Sequence, residues 1–507
     1  MTETSTSFRE IGNKFFKEHR LNLAIENYNK AIEIDPKDYQ SYTNRSLAYF
    51  QKKEYENSLN DSKEAIKINS KWDKAHYRYS MALKQFNRLD ESLRSLYIIY
   101  NRFYNSIDNT TTNNIDINLI TKEIDNIQKN LISKRYSKDI IAQSETSPNS
   151  INSNVKVDYI NANLGKSVFL TKDITNNNQP LLSENPLVSN LSSIYLEDEN
   201  YKSCFHCLKS IYVNKSCYSE KMKKQQELFI ENPSFTCDKN CKFEVYCSEN
   251  CKNEAWKQYH GLVCSSYDLI LKLYGFCRIK NQVFPLLIMK MLAIVINNVK
   301  NNKKSLEDSL SPFTSFQYDM SDPILSDDQL IANAFIIDIF KSVLKDNNDE
   351  IIFNQLITKE RYYQFNSILK LNSSDVQPIS ILEELIDNKV SKADIKDSSI
   401  KIGDEVIEID SIGEFLENNK LPTISIKGVG LYRVINSINH SCEPNVFCSF
   451  SKNNHSMTIY PSKIPLKKGQ EINISYINEN LAYTQRQKLL KENYSFNCSC
   501  KKCKNKE

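Results

Sequence analysis

At 507 residues the chain is too long for one hydrophobic core, and roughly 150 residues per domain suggests about three domains. Its 66 Lys+Arg against 62 Asp+Glu leave a formal charge of +4, and mean hydropathy is −0.52, so a purely electrostatic nucleic-acid binder and a membrane-embedded body are both excluded. The 14 Cys are clustered at metal-type spacings, and Met1 to Arg9 has no apolar export segment, which implies reduced thiols in cytosol or nucleus, mostly held by zinc.

Shifted by 34 residues, the first hundred residues superpose on themselves: Gly12 falls on Ser46 and Ser80, Phe15 on Tyr49 and Leu83, Ala24 on Ser58 and Ser92, Ala31 on Ala65 and Ile99. That period signals tetratricopeptide repeats, whose small residues lie where two helices touch. The first copy adds Phe8, Ile11, Tyr28 and Pro36 at the expected offsets, and Pro36 and then Ser70 act as helix stops. Three repeats over 8 to roughly 105 predict a concave, peptide-binding stack. Arg9, Asn13, Asn44, Lys74 and Arg78 are polar residues that the repeat itself does not need, and they should face the groove. In GNKFFK, SYTNRSLAYF and KAHYR they resemble the carboxylate clamp of chaperone-binding repeat proteins, in which two Asn and basic residues grip the C-terminal carboxylates of an Hsp70 or Hsp90 tail. Arg9 stands where that family usually has Lys. The plainer reading is a set of solvated helix faces on a generic scaffold. With a capping helix near Ile115 to Ser133, the repeat domain occupies 1–135, and a polar, Asn-rich linker follows at 136–155.

Cys204, Cys207, Cys237, Cys241, Cys247, Cys251, His260 and Cys264 are enough for two tetrahedral zinc sites. The run VYCSENCKNEAWKQYHGLVC resembles the MYND zinc finger. That resemblance implies interleaved ligands, with Cys204, Cys207, Cys247 and Cys251 on one ion and Cys237, Cys241, His260 and Cys264 on the other, and a surface for proline-containing peptides. The second pair here is C-x3-C, and 29 residues separate Cys207 from Cys237. This insertion holds Cys217, read as a spare thiol or as a substitute for one member of the second pair. His206 reads as a bystander.

The most apolar stretch, Val283 to Val299, is interrupted by Pro285 and Lys290 and reads as a buried helix rather than a membrane span. It falls in a helical region, 266–420, with a charged insertion near Lys389 to Lys420.

Cys498, Cys500 and Cys503 in FNCSCKKC leave a zinc one ligand short. Cys442 of INSINHSCEPN, 56 residues upstream of Cys498, supplies the fourth; the alternatives are a ligand from another chain or water. Cys277 and Cys448 remain as ordinary thiols. GLYRVINSINHSCEPN, then KKGQEINISYI and the Cys triplet, resemble the SET methyltransferase core and its post-SET zinc loop. NANLGKSVFLTKDI at 161–174 resembles the N-terminal part of that core. With the finger between the two parts and the repeats in front, the layout resembles the SET and MYND domain proteins, in the branch with N-terminal tetratricopeptide repeats. The fold implied is multidomain α+β: an N-terminal α-solenoid of three repeats and a β-rich SET core. That core is split into an N-terminal part at 156–200, a MYND finger at 201–265, a helical insertion at 266–420, a C-terminal core at 421–490 and a post-SET loop at 491–507.

The resemblance further implies an S-adenosylmethionine-dependent protein-lysine N-methyltransferase with two zinc ions in the finger and one in the post-SET loop, acting on a histone or another protein. It places Gly165, Lys166, Ser167, Asn439, His440 and, on a looser alignment, Asn372 at the cofactor. Phe496 would lie on its adenine, Tyr494 along the lysine channel, and Tyr476 at the point of transfer. An attacking lysine must first lose a proton from a group with pKa about 10.4, and an apolar aromatic channel favours that loss. Tyr476 would orient amine and methyl rather than act as a base. Ser167 stands where the family has its second glycine, which would crowd the backbone near the cofactor. That departure motivates the alternative, a non-catalytic chaperone-linked adaptor that recruits partners through the finger and the repeats.

Overall fold

The computed structural model describes residues 4–105, 115–130, 154–161, 165–192, 201–213, 234–239, 241, 244–316, 318, 324–376, 399–402, 405–408, 428–450, 454–494 and 496–507. Cys217 and most of the linker at 136–155 lie outside them, as does most of the charged insertion near Lys389 to Lys420. The chain divides into two compact units, the first consisting mainly of residues 1–137 and the second of most of the remainder.

In the first unit, three helix pairs follow the 34-residue period: α1 (Ser5–Lys17) with α2 (Leu21–Ile34), α3 (Tyr39–Gln51) with α4 (Tyr55–Ile68), and α5 (Asp73–Gln85) with α6 (Leu89–Asn105). Thr4 and Ser7 close a capping box at the start of α1, and the Asp38 carboxylate accepts from the Ser41 amide at the start of α3. The repeating small residues meet inside each pair. A Cβ on Gly12 would lie 2.6 Å from Tyr28 Cε1, so α1 and α2 approach too closely for any side chain there. In the next two copies, serines fill the same place. Ser46 Oγ lies 3.1 Å from Ser58 Oγ and donates to the Ser58 carbonyl, and Ser80 Oγ lies 3.0 Å from Ser92 Oγ. These hydroxyls are buried and satisfied by one another, which lets a polar residue stand in for glycine or alanine. His76 of α5 is buried and hydrogen-bonds the Ser70 carbonyl through Nε2 at 2.8 Å. The stack is closed by a helix, α7, described over 117–130. Its Ile120, Ile124 and Ile127 pack with Leu93, Leu96, Ile99 and Tyr100 of α6.

After the repeats the chain forms short strands, all in the second unit except the end of β1 and the first residue of β2: β1 (Val155–Asn161), β2 (Gly165–Leu170), β3 (Leu182–Glu184), β4 (Val188–Leu191), β5 (Tyr201–Ser203), β6 (Ser210–Val213), β7 (Phe235–Thr236), β8 (Val245–Tyr246), β9 (Ser374–Val376), β10 (Ser399–Ile402), β11 (Glu405–Glu408), β12 (Gly428–Leu431), β13 (Asn439–His440), β14 (Val446–Phe450), β15 (Met457–Pro461) and β16 (Asn473–Ile474). β12 lies between β4 and β9, β15 between β14 and β3, and β13 runs parallel to β16. β2 is tied to the segment before β16 by a bridge between Phe169 and Glu471. Gly428 in β12 has no room for a Cβ, which would sit 2.8 Å from the Asn190 carbonyl oxygen of β4. At the end of β3 the buried Glu184 carboxylate accepts the backbone N–H groups of Arg433, Val434 and Ile435, and this fixes the turn that leads into β13.

Between the strands lie the helices Tyr267–Lys280, Phe284–Lys300, Leu306–Thr314, Asp327–Val343, Asn347–Leu356 and Lys359–Asn372. The apolar stretch is a buried helix, with Pro285 in its first turn. Among the described residues no helix is long and apolar enough to cross a membrane. The 266–420 region, expected to be helical, also contains β9 and the antiparallel hairpin β10–β11. There Ser-Ile-Lys-Ile alternates polar and apolar residues with period two, and Glu-Val-Ile-Glu brings two β-branched residues to the facing strand.

Candidate methyl-transfer site and sulfur clusters

The structure brings together three quartets of metal-ligand residues: Cys204, Cys207, Cys247 and Cys251; Cys237, Cys241, His260 and Cys264; and Cys442, Cys498, Cys500 and Cys503. Within each, the ligand atoms all lie within 4.8 Å of one another. Cys207 Sγ to Cys247 Sγ is 3.5 Å, Cys237 to Cys264 is 3.6 Å, and Cys442 to Cys503 is 3.5 Å. These separations are too long for disulfides, whereas zinc–sulfur bonds of about 2.3 Å place tetrahedral sulfurs about 3.8 Å apart. His260 turns Nε2 to Cys241 Sγ at 3.1 Å, while its Nδ1 lies 3.1 Å from a buried Glu244 oxygen that also accepts from the Tyr246 hydroxyl. A carboxylate behind the outer nitrogen is how a ligating imidazole is oriented, so this donor set fits zinc.

His206 belongs to no quartet and stacks on Tyr259, with centroids 6.3 Å apart. Cys277 and Cys448 are also outside the quartets, and burial pushes both thiols up to about 12. Lys290, read from the sequence as an interruption, is fully buried, and its ammonium donates to the carbonyls of Ser189 in β4 and Phe205 beside Cys204, at 3.0 and 3.1 Å. Burial pushes its pKa down to about 8, against the pull of Glu244 and Cys204.

Around the third quartet stand the residues singled out for methyl transfer. Tyr476 lies 4.9 Å from Tyr494, 5.3 Å from His440 and 6.4 Å from Phe496, centroid to centroid, and His440 to Phe496 is 5.9 Å. The Tyr476 hydroxyl donates to the Ile438 carbonyl at 2.6 Å. Burial raises its pKa well above the ordinary phenol value, with Tyr494 adding to the shift, so it stays protonated at neutral pH. His440 Nδ1 accepts the Tyr476 amide at 3.0 Å, which leaves the ring proton on Nε2, 3.2 Å from Cys442 Sγ. Burial, with Arg486 adding to it, lowers the pKa of His440 to about 4 and keeps the ring neutral. One imidazole therefore joins the sulfur quartet to the Tyr476 backbone.

Gly165, at the start of β2, has φ +66, a conformation that favours glycine. Lys166 sets its ammonium over the Phe316 ring at 4.9 Å. Ser167 is in β2, fully buried, with its backbone outside the left-handed region. Its hydroxyl donates to Glu471 and accepts from Asn439 Nδ2. Asn372 ends the helix Lys359–Asn372 and donates to the Ile368 carbonyl of its own last turn. The adjoining Ser374 is reached by Asn436, three residues before Asn439.

In the repeat unit, Asn44 Nδ2 donates to Asn13 Oδ1 at 2.8 Å, and the Tyr28 hydroxyl donates to the same oxygen at 2.9 Å. Among the described residues Lys74 and Arg78 have no acidic partner; they lie over the rings of Trp72 and Tyr77, each at 5.6 Å. Arg9 differs, because its guanidinium pairs with Asp38 at 2.6 Å. Burial pushes the Asp38 carboxyl up, but hydrogen bonds from Ser5, Ser41 and Arg9 outweigh it and hold the pKa below the usual range.

The sequence matches the SET domain over residues 291–477, and tetratricopeptide repeats over 12–52 and 39–71. A SET and MYND domain-containing protein of Dictyostelium discoideum is 28% identical over 337 residues, covering 65% of this chain and 78% of that relative. The protein-lysine N-trimethyltransferase SMYD5 of Gallus gallus is 24% identical over 375 residues, covering 68% and 84%. Among solved structures, the first repeat domain of Spaghetti (RPAP3) bound to an HSP90 peptide is 25% identical with a TM-score of 0.22, over 26% of this chain and 95% of that one. The chain is thus a SET-domain protein with N-terminal tetratricopeptide repeats. Its homologues are SET and MYND domain proteins, lysine methyltransferases among them.

Proposed function

We propose that this protein is an S-adenosylmethionine-dependent protein-lysine N-methyltransferase, with a SET core at 156–200 and 421–490, a MYND finger at 201–265 and a post-SET loop at 491–507. The observation that carries the reading is the enclosure formed by His440, Tyr476, Tyr494 and Phe496 on the third sulfur quartet, with the Tyr476 hydroxyl held by the Ile438 carbonyl. Bound S-adenosylmethionine would supply the electrophilic methyl on its sulfonium. Gly165, Lys166, Ser167, Asn439, His440 and Phe496 would hold it, with Asn372 nearby. The aromatic walls strip water from an incoming lysine, which favours its neutral form. Tyr476 spends its proton on the carbonyl and so presents lone pairs that orient the amine. It takes no proton itself, and the lysine proton leaves to solvent before transfer. Zinc in the three quartets is structural, since every ligand position is filled by protein.

The same reading gives the repeat groove an acidic C-terminal peptide of the Hsp70 or Hsp90 kind, held by Asn13, Asn44, Lys74 and Arg78, with Arg9 contributing beside Asp38. It gives the finger proline-containing peptides, and the whole a place in cytosol or nucleus. Two experiments test it. In zinc-replete protein, transfer of labelled methyl from S-adenosylmethionine to proteins of a cell extract should fall about 100-fold in Tyr476→Phe, with unfolding free energy within about 1 kcal/mol of wild type. Lys74→Ala with Arg78→Ala should weaken binding of a peptide ending Glu-Glu-Val-Asp at least tenfold; unchanged affinity removes the clamp.

A further inference from the structure

We infer that Ser167 is a positioning residue for the cofactor, acting through Asn439; this rests on the methyltransferase reading. Three neighbouring chain segments bring the polar groups together. Ser167 is on β2, Glu471 is bridged to β2 through Phe169, and Asn439 pairs in register with Asn473 of β16. The Ser167 hydroxyl gives its proton to Glu471 Oε1 and accepts one from Asn439 Nδ2. Asn439 Nδ2 also reaches Glu471 Oε1 at 3.2 Å.

The donors of that amide nitrogen are therefore both directed at oxygen. Turned over, the carboxamide would set Oδ1 against a carboxylate oxygen and the lone pairs of the hydroxyl, and both contacts would become repulsive. The triad thus fixes which end of the Asn439 carboxamide it engages, the Nδ2 end. Oδ1 is left to accept, so Asn439 is poised for a ligand that brings an N–H or ammonium group. Glycine at 167 would let water or nothing take the place of the hydroxyl, and Glu471 alone holds Asn439 by the longer contact. The serine that departs from the family's glycine is then a gain of one polar tether, and its presence makes the cofactor site depend on a hydroxyl.

The test is calorimetric binding of S-adenosylmethionine to the full zinc-replete chain, wild type beside Ser167→Gly, Asn439→Ala and the double variant, with thermal unfolding of each. Ser167→Gly should weaken binding about tenfold, the size expected for loss of a hydrogen bond to a charged group. It should do so although it restores the family's residue. In the Asn439→Ala background the same change should have no further effect, because the hydroxyl then has no amide to orient. Ser167→Ala, which removes the hydroxyl without loosening the strand, should match Ser167→Gly. If Ser167→Gly lowers the unfolding temperature but leaves Kd unchanged, the triad is only structural and the inference is overturned. Full additivity with Asn439→Ala overturns it as well, since the serine would then act elsewhere. Failure of the wild type to bind the cofactor is a separate result, which overturns the methyltransferase reading and with it the role given to Ser167.

Discussion

In the repeat unit the contacts that order the chain join residues 12 apart, as between Ser46 and Ser58 or Ser80 and Ser92, whereas Ser167 and Glu471 of the second unit are 304 apart. Its helices run 13 to 17 residues, while β13 and β16 are two residues each. A repeat closes short loops and gains packing at each step; the second unit must close long ones before its contacts form. The sulfur quartets sit among strands of two to four residues, at β5 to β8 and around β13. Local repetition orders the first unit, and cross-linking at a few points orders the second.

Metal removal is the sharpest way to break that contrast, because structural zinc contributes on the order of 10 kcal/mol per site. With a strong chelator, the second unit should lose its cooperative unfolding transition and methyl transfer should stop, while the helicity of α1 to α7 persists by far-ultraviolet circular dichroism. A second unit that still unfolds cooperatively without metal would show that its sheets suffice alone. The next effect separates the units by pH. Burial lowers the pKa of His76 to about 4 from an ordinary 6.5, so between those values the unfolded chain binds the extra proton. The stability due to the neutral ring is complete above pH 6.5 and is lost as pH falls towards 4, by up to about 3 kcal/mol. Urea midpoints of the repeat unit at several pH values should follow that slope, and His76→Gln should flatten it. The smallest effects compare one position across copies. Gly12→Ala should destabilise the first repeat by about 2 kcal/mol, because its Cβ meets Tyr28 and the Ala24 carbonyl. Ser46→Ala, which loses only a hydroxyl, should destabilise by about 1 kcal/mol in the same denaturation series.

What could be read in advance follows the same contrast. The 34-residue period, the small residues between helices and the metal-type spacings are local patterns, so α1 to α6 and the sulfur clusters were open to sequence reasoning, while the interleaved membership of the two finger quartets came from the resemblance to the MYND finger. Partnerships across hundreds of residues were not. Nothing in GKSVF tells that Ser167 meets Glu471, nor that Glu184 will gather the amides of 433–435. Lys290 rightly marked the apolar stretch as a buried helix, but the two carbonyls from other segments that receive its ammonium could not be read in advance. The pairing of Arg9 with Asp38 was hidden similarly, since both lie at helix starts where each reads as a solvated residue. A signal that could have been used was the alternation in SIKI with the β-branched pair of EVIE close behind it, which marks a hairpin inside a stretch otherwise helical.

The third quartet also sets an order of events in synthesis. Cys442 and Cys503 are 61 residues apart, and Tyr494 and Phe496 lie just before the last three ligands. Cys442 can meet Cys503 only after every residue between them has been made, so Tyr476 leaves the ribosome before Tyr494, 18 residues on, and before the sulfurs that anchor it. On the methyltransferase reading proposed above, the aromatic wall beside Tyr476 is therefore set in place after the tyrosine itself.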